Sequence, residues 1–203
     1  MKFSPTLAAM LFMPTAAGLL YQAVQPHPWP HRLLAIALLL ALFEQAHMAR
    51  VDLRNVELVG QRLGDPRLKT FHQVVVWTIL GQLVGFYGAA AGYLGWGMAA
   101  ILLSVTGFNL VATLRLEPTG SQPLQVANWR SRLDVLTLDA IALILAGLWI
   151  AQRFQNWVAV GMFAITALYS ASKLVTYAKA LGRPSAIHIA HAAQEHPQTP
   201  QQN

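Results

Sequence analysis

Six side chains that can carry charge, a proton or a metal interrupt otherwise apolar stretches of this chain: Glu44, His47, His72, Asn109, Asp139 and Lys173. Glu44 and His47 stand three residues apart, close enough on a helix to share a proton or a hydrogen bond. Glu44-Gln45-Ala46-His47 is also an ExxH of the kind found in di-iron helical bundles, but that architecture needs two such motifs and two further carboxylates, and only one is present. Paired histidines can ligate haem. His47 and His72 both fall near the same boundary, however, and no second pair continues an electron path across a membrane. Asp139 and Lys173 lie at matching depth on consecutive stretches and are expected to form an ion pair.

These residues acquire a common address only through the elements that carry them. Apolar spans run at about 5–24, 32–49, 70–93, 97–115, 133–152 and 156–178, each near the roughly 20 residues a helix needs to cross hydrocarbon. The whole chain of 203 residues is 55% hydrophobic and 11% charged, with a mean hydropathy of +0.44, against about 25% charged residues in ordinary globular domains. The expected fold is therefore an all-α integral membrane protein, a bundle of six transmembrane helices forming one domain over 1–183, followed by a polar, largely disordered cytoplasmic tail at 184–203. The first span is read as an uncleaved helix: Tyr21 and Gln22 follow where a signal peptide would have small residues.

Fourteen basic residues set the orientation. Arg50, Arg54, Arg62, Arg67 and Lys69 occupy the gap after span two; Arg115, Arg130 and Arg132 the gap after span four; Lys173, Lys179 and Arg183 the carboxyl end, with Lys2 at the amino end. Only Arg32 and Arg153 oppose them, the positive-inside asymmetry of an N-in, C-in topology. Trp29, Trp96, Trp149 and Trp157 fall at outer boundaries and Trp129 at an inner one, as interfacial rings should. On this topology Glu44, His47, His72, Gln73, Asn109, Asp134, Asp139 and Lys173 share one polar layer in the cytoplasmic third of the membrane. Intramembrane ionisable groups are functional candidates by default; bundle locking, a proton or ion path, and cofactor ligation are the three roles open to them.

Span two keeps its helical pattern beyond Arg50, with Leu53, Val56, Gly60 and Leu63 on one stripe and Arg54 placed to meet Glu57, until Gly64-Asp65-Pro66 ends it. The resulting helix of about 33 residues, roughly 50 Å long, extends into the cytoplasm and presents Arg50, Arg54, Glu57 and Arg62 as a partner-docking surface. Span three carries Thr78, Gly81, Gly85, Gly88, Gly92 and Gly95 at spacings of 3, 4, 3, 4 and 3, including two GxxxG units. Small residues in this pattern let another backbone approach closely, and Ala100, Ser104 and Gly107 of span four offer a matching face. The same face is alternatively a groove for a flat or branched ligand such as a quinone, a tetrapyrrole, an isoprenoid or a lipid.

Metal chemistry has thin support. His188, His191 and Glu195 would share a helical face in the tail, and His27 and His31 lie in the proline-rich first loop. With no cysteine, thiolate ligands and disulfides are excluded. HExxH, GxxxxGK[ST] and GxSxG motifs are absent as well. No cofactor is required, haem, quinone or pigment being open options. The net charge of +6 follows membrane topology, not nucleic-acid binding. The reading that results is a non-catalytic subunit or assembly and anchor factor of a larger complex, in a bacterial cytoplasmic or internal, thylakoid-like membrane, with lipid and membrane-protein partners. A small transport component for a proton, ion or solute is the alternative, and a membrane enzyme ranks third.

Overall fold

The computed structural model describes residues 4–116 and 124–181, with side chains omitted at 115 and 176–181. The tail candidates His188, His191 and Glu195 lie outside the described residues. The chain divides into two units, Met1–Ala167 and Leu168–Asn203. Helices α1 (Pro5–Val24), α2 (Trp29–Leu63), α3 (Arg67–Ala90), α4 (Leu94–Val111) and α5 (Leu133–Ile150) belong to the first, and α6 (Gln155–Leu181) runs through the division. All six are long and apolar enough to cross a membrane.

Helix ends follow from local chemistry. Gly64 adopts φ +56, the left-handed conformation that glycine reaches without a Cβ penalty, and its N–H caps the Gly60 carbonyl to stop α2. Asp65 then accepts from the backbone N–H of Arg67 at 2.8 Å, starting α3. The α3–α4 turn closes with Gly92 at φ +99 and a bond from the Tyr93 N–H to the Gly88 carbonyl. Between α5 and α6 the turn places two non-glycine residues, Gln152 and Phe154, at positive φ.

The core of the first unit is a continuous cluster. Phe12 and Leu19 of α1 meet Leu34, Leu38 and Leu42 of α2, Val75, Ile79 and Phe86 of α3, and Met98 and Ile101 of α4. Phe12 and Phe86 stack edge to face with centroids 5.8 Å apart. Large apolar side chains such as Trp77, Val84, Leu103 and Ile144 remain on the outside, the inverse of a water-soluble surface. Trp29, Trp96, Trp129 and Trp157 are exposed, whereas Trp149 lies against the position where Gly95 lacks a Cβ.

Two features depart from the expected pattern. A two-stranded antiparallel ribbon, β1 (Leu114–Leu116) with β2 (Leu124–Val126), joins α4 to α5 through a 3-10 turn at Trp129–Arg132. Its alternation is only three residues long on each side, too short to register as a period-2 signal. In α2 the buried stripe of the extension is Ala49, Leu53, Val56 and Val59, while Leu63 is 47% exposed and Gly60 meets nothing. The apolar stripe expected at Gly60 and Leu63 is thus corrected: the last turn of α2 projects past the packed body.

Candidate functional site

The chain's polar chemistry gathers at two ends, one marked by the basic α2–α3 and α4–α5 connections and one opposite. Two interhelical links cross the first unit, one midway along the helices and one toward the basic end. The Gln82 amide of α3 donates to Gln45 Oε1 of α2 at 2.8 Å, and Gln82 is buried in the core. Asn109, two residues from the end of α4, donates through Nδ2 to Asp139 Oδ2 of α5 at 3.2 Å, both side chains being buried. Asp139 therefore has an amide partner within the first unit, where the sequence pattern suggested lysine. Lys173, in the second unit, places its Nζ 5.3 Å from the centroid of the Tyr169 ring.

The remaining members of the expected layer differ in setting. Glu44 is partly buried, and its Oε2 is shielded without a hydrogen-bond partner. His47 and Asp134 are exposed, and His72 is partly buried in the first turns of α3. Gln45, which the pattern reading passed over between Glu44 and His47, is the α2 residue that reaches across to α3.

The surface of the basic end is set by charge. Arg50, Arg54, Glu57 and Arg62 are all exposed. Arg54 and Glu57 do not form the expected i, i+3 contact, whereas Arg67 and Asp65 are ion-paired at 2.7 Å. Exposed pairs on a helix gain at most about 0.5 kcal/mol, so hydration of each group competes evenly. Arg67 holds the Asp65 carboxyl below the usual carboxylate range through that hydrogen bond. On the α2 extension, beyond the apolar stretch 32–49, burial pushes the Asp52 carboxyl up to about 6, with the Arg132 charge acting in the opposite direction. Arg132 donates to the Leu114 carbonyl at 3.4 Å and covers the Phe108 ring.

A cleft of about 250 Å³ opens beside Arg67, Thr70, Phe71 and Val74 of α3 and Val111 to Thr113 at the end of α4. It falls below the roughly 300–1,000 Å³ of pockets that enclose small molecules. The glycine-lined face of α3 is filled from within the chain. A Cβ at Gly85 would come within 2.7 Å of the Gly97 carbonyl and 2.9 Å of the Ile101 N, and one at Gly81 would strike Ser104. Gly88 approaches Gly97 more loosely, Gly92 forms the turn, and Gly107 has nothing within 4 Å. Gly107 accordingly makes no close approach of the kind Gly97 makes.

No family model, curated protein or solved structure matches this chain.

The opposite end holds the polar group that the sequence pattern missed. Gln22, buried at the end of α1, donates through Nε2 to the Ala90 carbonyl of α3 at 3.3 Å, and its Oε1 lies 3.1 Å from His31 Nε2. Arg32 donates from Nε to the Ala23 carbonyl at 2.9 Å, and the His27 and His31 rings lie with centroids 4.3 Å apart, tilted by 43°. His31 precedes the apolar stretch 32–49; burial, then the neighbouring His27, lowers its pKa. A usable signal existed: Ala8, Phe12, Thr15, Leu19 and Gln22 repeat at 3 and 4 on the buried face of α1, so Gln22 is a polar residue in a core register. Such a residue must find a partner. Among the described residues, no three or more His, Cys, Asp or Glu side chains gather as a metal site.

Proposed function

We propose that this chain is a multi-pass membrane protein, N-in and C-in, acting as a non-catalytic subunit or assembly and anchor factor of a larger membrane complex. The observation that carries the proposal is the division of labour on α2. The helix runs 35 residues without a break, about 52 Å at 1.5 Å per residue, some 20 Å more than hydrocarbon requires. Its extension buries Leu53, Val56 and Val59 in the chain's own body and turns Arg50, Arg54, Glu57 and Arg62 outward. A helix that is anchored by its apolar stripe and offers a charged one is suited to a partner with an acidic surface. The glycine face of α3 is read as an internal seam with α4, leaving the α2 extension as the contact surface.

Extraction in lipid nanodiscs without detergent, followed by native mass spectrometry, tests the reading. A stoichiometric protein partner should be retained, and the triple charge reversal Arg50→Glu, Arg54→Glu, Arg62→Glu should release it with the fold intact. Recovery of the wild-type chain alone from its native membrane would sink the proposal.

A second reading rests on Glu44. A carboxylate oxygen shielded without a partner on an apolar helix is a plausible proton carrier, which suits a small transport component. Proton flux in proteoliposomes that disappears in Glu44→Gln would favour it; equal flux in both proteins, or none, would exclude it.

A further inference from the structure

The pair His27 and His31 stands apart from the α2 extension, at the opposite end of the bundle, and nothing in the proposed docking role uses it. Its geometry is unusually constrained for surface histidines. The Ala90 carbonyl can only accept, so the Gln22 atom facing it is the amide nitrogen and the atom facing His31 is the amide oxygen. That oxygen can only accept as well. His31 Nε2 must therefore carry the proton, and in the neutral ring the lone pair resides on Nδ1. Histidines that bind metals usually donate their second ring N–H to an oxygen acceptor in this way, which fixes both the tautomer and the ring orientation.

Next to this oriented imidazole lies a second. Taking about 2.0–2.1 Å for a metal–imidazole nitrogen bond and about 1.1 Å from ring centroid to nitrogen, an ion on a ring's nitrogen axis lies about 3.1 Å from the centroid. Two centroids 4.3 Å apart lie well within twice that distance, so both rings are close enough to share one ion. Histidine chemistry narrows the choice of ion further. Both donors are neutral nitrogens, and Arg32, anchored on the Ala23 carbonyl beside them, makes the surroundings positive. Hard cations held mainly by charge, such as magnesium and calcium, need oxygen ligands and are disfavoured here. Among divalent first-row ions, copper(II) binds nitrogen donors most tightly.

We propose that His27 and His31 form a two-nitrogen site for a late first-row divalent cation, copper(II) foremost, with Gln22 as the positioning residue that orients His31. The remaining coordination positions belong to water or to an exogenous anion. His27 is exposed and His31 only partly buried, so the site opens to the medium. Because Gln22 and His31 also join α1, α2 and α3, an ion held there ties the first loop to the helix bundle.

The test uses the full chain, carrying a histidine-free affinity tag and the tail substitutions His188→Asn, His191→Asn and His196→Asn to remove competing ligands. Copper(II) titration followed by electron paramagnetic resonance should give one equivalent with a tetragonal signal and splitting from two nitrogens. Zinc(II) should compete, and magnesium(II) should not. His27→Asn, an exposed change that leaves the bundle contacts in place, should weaken copper(II) binding by about 100-fold. Gln22→Leu should weaken it by about 10- to 100-fold, the range for removal of a ligand-orienting partner, while retaining the two-nitrogen signal at saturation. Unchanged copper(II) affinity in His27→Asn, or a wild-type signal lacking two-nitrogen splitting, overturns the site. An unaltered affinity in folded Gln22→Leu overturns the positioning role.

Discussion

Gln82 donates its side-chain amide to the Gln45 oxygen at 2.8 Å, joining α3 to α2 inside the core. Gln82 alone would be a polar group stranded among apolar side chains, and Gln45, partly buried, would lose the partner it is turned toward. The cost of stranding one group exceeds the net gain of the bond itself, an asymmetry that makes such pairs sensitive to single changes and tolerant of paired ones.

Gln45→Leu and Gln82→Leu should therefore each lower stability by about 1–3 kcal/mol. The double substitution should recover most of that loss, because neither amide is then left behind. Thermal unfolding of the purified protein in one detergent, set out as a double-mutant cycle, measures it; equal and additive losses would refute the coupling.

Asn109 and Asp139 should behave as a second, separate coupled pair across α4 and α5. Asn109→Ala removes an amide donor from the buried Asp139 carboxyl and is expected to cost about 1–3 kcal/mol. Combining Asn109→Ala with Gln82→Leu should give additive effects, since the two links share no partner. Departure from additivity by more than about 0.5 kcal/mol would show that they form one network.

The close approach of α3 and α4 distinguishes glycines that look alike in the sequence. Gly85→Val puts atoms where the Gly97 carbonyl and Ile101 backbone already lie and should destabilise by at least about 1–3 kcal/mol. Gly107→Ala meets nothing within 4 Å and should be neutral or slightly stabilising, since alanine is the better helix former by about 1 kcal/mol. Melting temperatures of the two variants side by side decide the matter; similar losses in both would contradict the packing.

Asp52 links stability to pH. Its folded pKa of about 6 stands above the ordinary 3.8, so the folded state holds its proton more tightly than the unfolded state does. The favourable contribution is fully present below pH 3.8 and is lost as pH rises to about 6, leaving a penalty on the order of 1–3 kcal/mol above it. Asp52→Asn should raise the melting temperature at pH 7.5 and flatten its slope between pH 4 and 6. A variant whose pH profile parallels the wild type would rule out Asp52 as the titrating group.

Much of this architecture was legible in the residues. Helix length and apolar content placed all six helices, because a run of about 20 apolar residues has few alternatives to helix. Gly64-Asp65-Pro66 placed the end of α2 within a residue, because left-handed glycine and proline act locally. The pairing of 114–116 with 124–126 and the true α2 stripe were not legible, since a three-residue alternation carries little signal and the stripe depends on where the body ends.

The amino-acid sequence on its own determined where chain segments are apolar, where they stop and which connections carry positive charge, because these depend on composition and on neighbours a few residues away. Tertiary structure alone decided the partners: Gln82 with Gln45, Asn109 with Asp139, Gln22 with both His31 and Ala90. Side-chain hydrogen bonds have a reach of about 3 Å, and which groups come that close depends on the rotation and offset of whole helices. That placement is set by contacts such as Gly85 against Gly97, which join positions far apart along the chain.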